Sequence, residues 1–148
     1  MDASKRYEQN AVTTQQRGKL IVMLYEGAIK FLNVAREKLR EGDYALKGVY
    51  IGKAQDIVSE LNNSLNMDAA PDMANDLRAL YNFVYHTLNE ANIERSETKI
   101  QQCIDILQEL HGAWEQVVEK VDADQASADQ TSADGTSEVE RTPAAFDA

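Results

Sequence analysis

From Leu20 to Leu39 apolar residues recur every three or four positions, and they cover more of a helix surface than one neighbour can bury. On a helical wheel Ile21, Leu24, Tyr25, Ala28, Ile29, Leu32, Ala35 and Leu39 form one broad face. Leu20, Met23, Phe31 and Val34 form a second stripe beside it, with Gly27 in its middle. The polar lead-in carries Thr13 and Gln16 at capping spacing, so the pattern predicts a helix from about residue 18 to Glu41. Gly42 suits the position that ends it, and Asp43 the N-cap of the next.

Three further helices follow by the same reading. One spans about Tyr44–Asn66, with Leu46, Tyr50, Ala54, Ile57, Val58, Leu61 and Leu65 inward and Gly48 and Gly52 on the far side. Another spans about Asp72–Asn92, opened by Pro71, with Met73, Leu77, Leu80, Tyr81, Val84, Leu88 and Ala91 inward. The last is capped by Ser96 and runs to about Val121 on Ile100, Cys103, Ile104, Leu107, Leu110, Trp114, Val118 and Val121. No stretch alternates as a strand would. Four amphipathic helices of similar length joined by short loops predict an all-α fold, an antiparallel up-down four-helix bundle over residues 18–121. A short N-terminal segment, 1–17, precedes it.

Beyond Val121 the pattern stops. Residues 122–148 are built from Asp, Ala, Ser, Thr and Gln, with seven acids and one arginine, and their composition predicts a disordered acidic tail. That tail takes −6 of the net charge of −10, so the bundle is only mildly acidic. A phosphate backbone would be repelled, which argues against nucleic-acid binding. No apolar run approaches a membrane span and the first ten residues lack a secretory h-region, so the expected compartment is the cytosol, without membrane insertion.

The chemistry-bearing residues are sparse. A single cysteine, Cys103, excludes an internal disulfide and sits at a core position as a small hydrophobe. His111 falls near the inner face of the fourth helix, and no Glu-x-x-His pair accompanies it, so no metal site is expected. His86 falls on the outer face of the third helix, where an exposed histidine would suit a phosphotransfer bundle. The string His86-Thr87-Leu88-Asn89-Glu90 resembles the His-x-Leu-Lys-Gly pattern of such domains but has Asn89 for the lysine and Glu90 for the glycine, adding a charge that repels phosphate. No phosphate loop, nucleophile elbow or paired catalytic carboxylates are recognisable, which argues against an enzyme and against a cofactor. What is left is surplus apolar surface: the second stripe of the first helix, Val49 and Ile51 on the second, Phe83 and Tyr85 on the third. Together they suggest a groove for an amphipathic helical partner.

The string from Leu20 to Leu32, LIVMLYEGAIKFL, preceded by Thr13-Thr14, resembles the first helix of the flagellar secretion chaperone FliS family. Glu41-Gly42-Asp43, the run Gly52–Leu61, Leu80-Tyr81 with Tyr85, Leu88–Asn92 and Trp114 match in order, and Tyr7 with Gln9-Asn10 and Val12 resembles the family's N-terminal segment. Gln16-Arg17 stands where the family usually has Ser-Pro, and the acidic tail is an addition to its pattern. The resemblance implies a cytosolic chaperone that binds the C-terminal segment of flagellin, prevents premature polymerisation and assists delivery to the flagellar export gate. It also implies that Tyr7 and Val12 lie on a movable cover of the client groove. The wheel places Leu20, Met23, Gly27, Phe31 and Val34 along one wall, with Gly48, Ile51 and Gly52 as secondary candidates. The alternatives are a histidine phosphotransfer bundle using His86 and an adaptor for another export substrate.

Overall fold

The computed structural model describes residues 3–131, with the side chains of residues 16–124, 126 and 127. Four helices follow in order: α1 (Ala3–Arg40), α2 (Tyr44–Asn63), α3 (Pro71–Glu94) and α4 (Glu97–Thr131). Each packs on two neighbours, α1 on α2 and α4, α3 on α2 and α4, so α1 and α3 stand diagonally across an antiparallel bundle. The all-α four-helix fold is the one the sequence predicts, and no strand occurs among the described residues.

Local chemistry sets the turns. Gly42, at φ +78°, ends α1 in a left-handed conformation that costs glycine little. Its N–H donates to Leu39 O at 3.1 Å and that of Asp43 to Lys38 O at 2.9 Å, a Schellman closure. Asp43 Oδ1 then accepts from Leu46 N at 3.1 Å and caps α2. Pro71 occupies the first position of α3, where its missing N–H costs no hydrogen bond. Ser96 Oγ accepts from Lys99 N at 3.2 Å and caps α4.

Inside, Ile21, Tyr25, Ala28, Leu32 and Ala35 of α1 meet Ile51, Ala54, Val58 and Leu61 of α2, Tyr81, Val84 and Leu88 of α3, and Ile100, Leu107 and Trp114 of α4. The Tyr25 and Tyr81 hydroxyls hydrogen-bond to each other in this core, and Trp114 also bonds the Tyr25 hydroxyl. Their pairing satisfies polar groups that would otherwise be costly to bury.

Three expectations are corrected. In α2 the inward phase is set by Lys47 and Ile51, not by Leu46 and Tyr50; Leu46 is exposed and Tyr50 half-buried. The reason is the C-terminus of α3, where Lys47 Nζ donates to Asn92 O at 2.8 Å while its stem lies in the apolar interior. In α3, Ala74 and Thr87 are buried, and Met73 and Leu80 are on the surface. Finally, α1 begins at Ala3 and α4 continues to Thr131, so much of the polar lead-in and the first ten residues of the acidic stretch are helical. Residues 132–148, and with them the rest of the expected disordered tail, lie outside the described residues.

Candidate functional site: apolar strips on a closed bundle

The candidate client residues separate into distinct settings. Tyr7 and Val12 lie within the α1 helix, and their side chains lie outside the described residues. Leu20 and Met23, three residues apart on one side of α1, are 59% and 63% exposed, so they form a patch outside the filled core face. Met23 lines a cleft of about 230 Å³ with Lys19 and Val22 of α1 and Glu115, Val118 and Glu119 of α4.

The rest of the second stripe is engaged. A Cβ on Gly27 would come within 3.3 Å of Ile57 Cδ1, so this glycine serves close packing of α1 on α2. Phe31 is half-buried with its ring 6.0 Å from that of Tyr50, and Lys53 Nζ lies 5.5 Å and 5.4 Å from the two ring centres. Val34 is half-buried at a shallow hollow between α1 and α4 that Glu26 and His111 also line. A Cβ on Gly48 would meet Asn92 Oδ1 of α3 at 3.5 Å, whereas one on Gly52 would meet open space. Ile51 is fully enclosed, a core residue and no part of an open groove wall.

A second apolar strip belongs to α3. Met73, Leu80 and Phe83 are 44%, 37% and 46% exposed. They are seven and three residues apart and so share one side of the helix. Cys103 Sγ lies 3.8 Å from Val84 O and Lys99 Nζ 2.8 Å from Glu90 Oε2, which fixes the antiparallel register of α3 on α4. That register sets Phe83, Leu80 and Met73 beside Ile106, Leu110 and Val117, which are half-buried at the edge of the core. The sequence pattern singles out Phe83 but puts Met73 and Leu80 in the core. The missed signal is that all three share one edge of the wheel with Asp76, which a buried face would not accommodate.

The polar groups form structural pairs. His111 is held between Glu26 (Nε2 to Oε1, 3.1 Å) and Glu115 (Nδ1 to Oε1, 3.3 Å), across the α1–α4 seam. His86 is exposed, edge-on to Tyr85, and one turn from Glu90, whose carboxyl Lys99 holds below its ordinary range. Burial pushes the Cys103 thiol up to about 12, far from the thiolate a nucleophile needs. Among the described residues no group of three or more His, Cys, Asp or Glu is placed to hold a metal, and no helix is long and apolar enough to cross a membrane.

Comparison with known proteins gives this arrangement a context. The family model described as flagellar protein FliS matches residues 1–121. The flagellar secretion chaperone FliS of Bacillus subtilis is 30% identical over 119 residues, spanning 80% of this chain and 88% of that protein. That of Vibrio cholerae is 32% identical over 99 residues, 67% of this chain and 73% of its own length. The Campylobacter jejuni protein of the same name is 31% identical over 115 residues, 78% and 90% respectively. With the four-helix architecture and the match running from the N-terminal arm through the bundle, the chain belongs to the FliS family of flagellar secretion chaperones.

Proposed function

We propose that this protein binds the C-terminal segment of flagellin in the cytosol, keeps it from polymerising before export and assists its delivery to the export apparatus. The observation that carries the reading is the pair of apolar strips on diagonal helices, Leu20 and Met23 on α1 and Met73, Leu80 and Phe83 on α3, outside a core that is already filled. Large side chains left in water on two sides of a small bundle suit a client that passes around it, with its own apolar residues covering both strips. Such a client must be unable to bury those residues alone. Ordering it on binding costs several kcal/mol, on the order of 2–5, which keeps the complex releasable.

Within this reading Leu20 and Met23 are direct client contacts, and Gly52 with Val49 offers an open neighbouring surface on α2. Gly27, Phe31 and Gly48 position the helices that carry these contacts. Tyr7 and Val12 belong to the arm that continues α1 beyond the strip, and they cover it when that arm leaves the helix. The protein works by binding and not by catalysis, a role that needs neither cofactor nor nucleotide. The test is capture of purified flagellin and of flagellin lacking its C-terminal segment by the immobilised full chain. Retention of the intact protein alone supports the reading, and equal retention of both refutes the binding mode.

A further inference from the structure

The helices are unequal. At about 1.5 Å per residue, α1 and α4 are roughly 57 and 52 Å long, against roughly 30 and 36 Å for α2 and α3. Four contacts fix how α1 and α4 lie: Arg40 with Glu97, Arg36 with Gln101, Glu26 with His111, and Gly18 with Val118. Every step back along α1 is matched by a near-equal step forward along α4. Continued past Gly18, this register brings the first turn of α1 level with the last turn of α4, beyond the reach of α2 and α3.

Each of these overhanging ends has the wrong charge for a helix standing alone. The α1 arm carries Lys5, Arg6, Arg17 and Lys19 against Glu8, with no acid in its first turn, although the positive end of a helix dipole favours acids. The α4 end carries Glu119, Asp122, Asp124 and Asp129 against Lys120, with no base in its last turn, where bases are favoured. Apolar burial supplies little: the arm offers only Tyr7 and Val12 beyond alanine, and residues 122–131 only alanine. Continuation from the bundle removes the nucleation cost, but polar turns of this kind gain little beyond propensity unless something packs on them. Side by side and antiparallel, the same charges become complementary, a basic positive end against an acidic negative one. Lys19 already shares a cleft with Glu115 and Glu119, and Arg17, Asp122 and Asp124 are all half-buried and engaged.

We propose that the acidic C-terminal end of α4 is the docking partner of the basic N-terminal arm of α1, and that the two form a salt-sensitive clasp at one end of the bundle. Asp122, Asp124 and Asp129 are then a fastening for the arm and not part of a solvating tail. With α1 held straight, Leu20 and Met23 stay open, so the clasp keeps the arm off that strip, a consequence that rests on the client reading above.

Amide hydrogen exchange on the full chain without client tests the clasp, with the α3 amides as the control for folding. In the variant Asp122→Lys/Asp124→Lys/Asp129→Lys the amides of residues 5–16 should lose at least tenfold in protection while those of α3 are unchanged. Lys5→Glu/Arg6→Glu/Arg17→Glu alone should also loosen the arm, although acids suit a helix N-terminus and would raise protection if the arm stood by itself. Combined with the first variant it should restore protection, and raising salt from 0.05 to 1 M should loosen the wild-type arm alike. Unchanged arm exchange in the first variant, unchanged or raised protection in the arm variant alone, or no recovery in the combination, overturns the clasp. Lysine suits a helix C-terminus, so a role confined to α4 would raise protection instead. Affinity for the flagellin segment, measured on the same variants, should fall when the arm is freed to cover the strip; no change or a rise, with the exchange result intact, overturns the regulatory role while leaving the clasp.

Discussion

Met23 and Phe83 lie on diagonal helices, 63% and 46% exposed, and the wrapping account requires one client to touch both. Burying a Met or Phe side chain fully contributes about 1.5–3 kcal/mol, so the exposed parts have roughly 1–2 and 0.7–1.4 kcal/mol left for a partner to gain. At about 1.4 kcal/mol per tenfold in affinity, Met23→Ala should weaken binding of the flagellin C-terminal segment about 5–25-fold and Phe83→Ala about 3–10-fold. The two side chains stand on non-adjacent helices and meet different parts of the client, so their effects should add in free energy and the double variant should lose roughly 15–250-fold. Titration calorimetry with the isolated segment reads the affinities, and urea unfolding of each variant shows that the bundle survives. Met23→Ala should leave the unfolding midpoint nearly unchanged; Phe83→Ala, which also loses its half-buried part, should cost on the order of 1–2 kcal/mol with a single cooperative transition. If Phe83→Ala binds as the wild type does while Met23→Ala is weakened, the client stays on α1 and does not wrap. If neither matters, the strips are not the client surface.

Further expectations concern the core. Ile51→Ala should cost about 2–5 kcal/mol of stability, as truncating a fully enclosed aliphatic does, while folded protein keeps wild-type affinity for the segment. Burial pushes the Tyr25 phenol up from 10.0 to about 12, and that of Tyr81 also upward, helped by its neighbour. Above pH 10 the unfolded chain loses protons the folded one keeps, so stability should be flat from pH 7 to 9 and fall by about 1 kcal/mol at pH 11 for Tyr25, with a further loss from Tyr81, as read by urea midpoints. Lys47→Ala should cost about 1–3 kcal/mol in chemical unfolding through the lost bond to Asn92 O and the lost stem. Lys47→Met should cost less, because burial already lowers the affinity of that amine for its proton.

The broad fold was legible because α1 and α4 repeat their apolar faces cleanly: Ile21, Tyr25, Ala28 and Leu32 on one, Ile100, Ile104, Leu107 and Trp114 on the other, are all buried where the wheel puts them. Turn chemistry at Gly42, Asp43 and Ser96 was equally local and equally readable. In α2 two inward phases compete, and the one that wins contains a lysine. Only the free carbonyls at the end of α3 explain that choice, and they belong to another element. The exposed positions of Met73 and Leu80 depend in the same way on where α4 lies. The overhanging ends of α1 and α4 carry almost no hydrophobic period, so a reading based on that period stops at Gly18 and Val121 while the helices continue. Of the candidate site, Leu20 and Met23 were legible as surplus on a helix whose core face was already complete, whereas Ile51 lies in the core.

The most direct measurement is capture of flagellin by the immobilised full chain, with the intact client and a client lacking its C-terminal segment run side by side. The account predicts that intact flagellin is retained, that the shortened form passes through, and that the isolated segment competes the intact protein off. Equal retention of both forms, or retention that the free segment does not disturb, would contradict it.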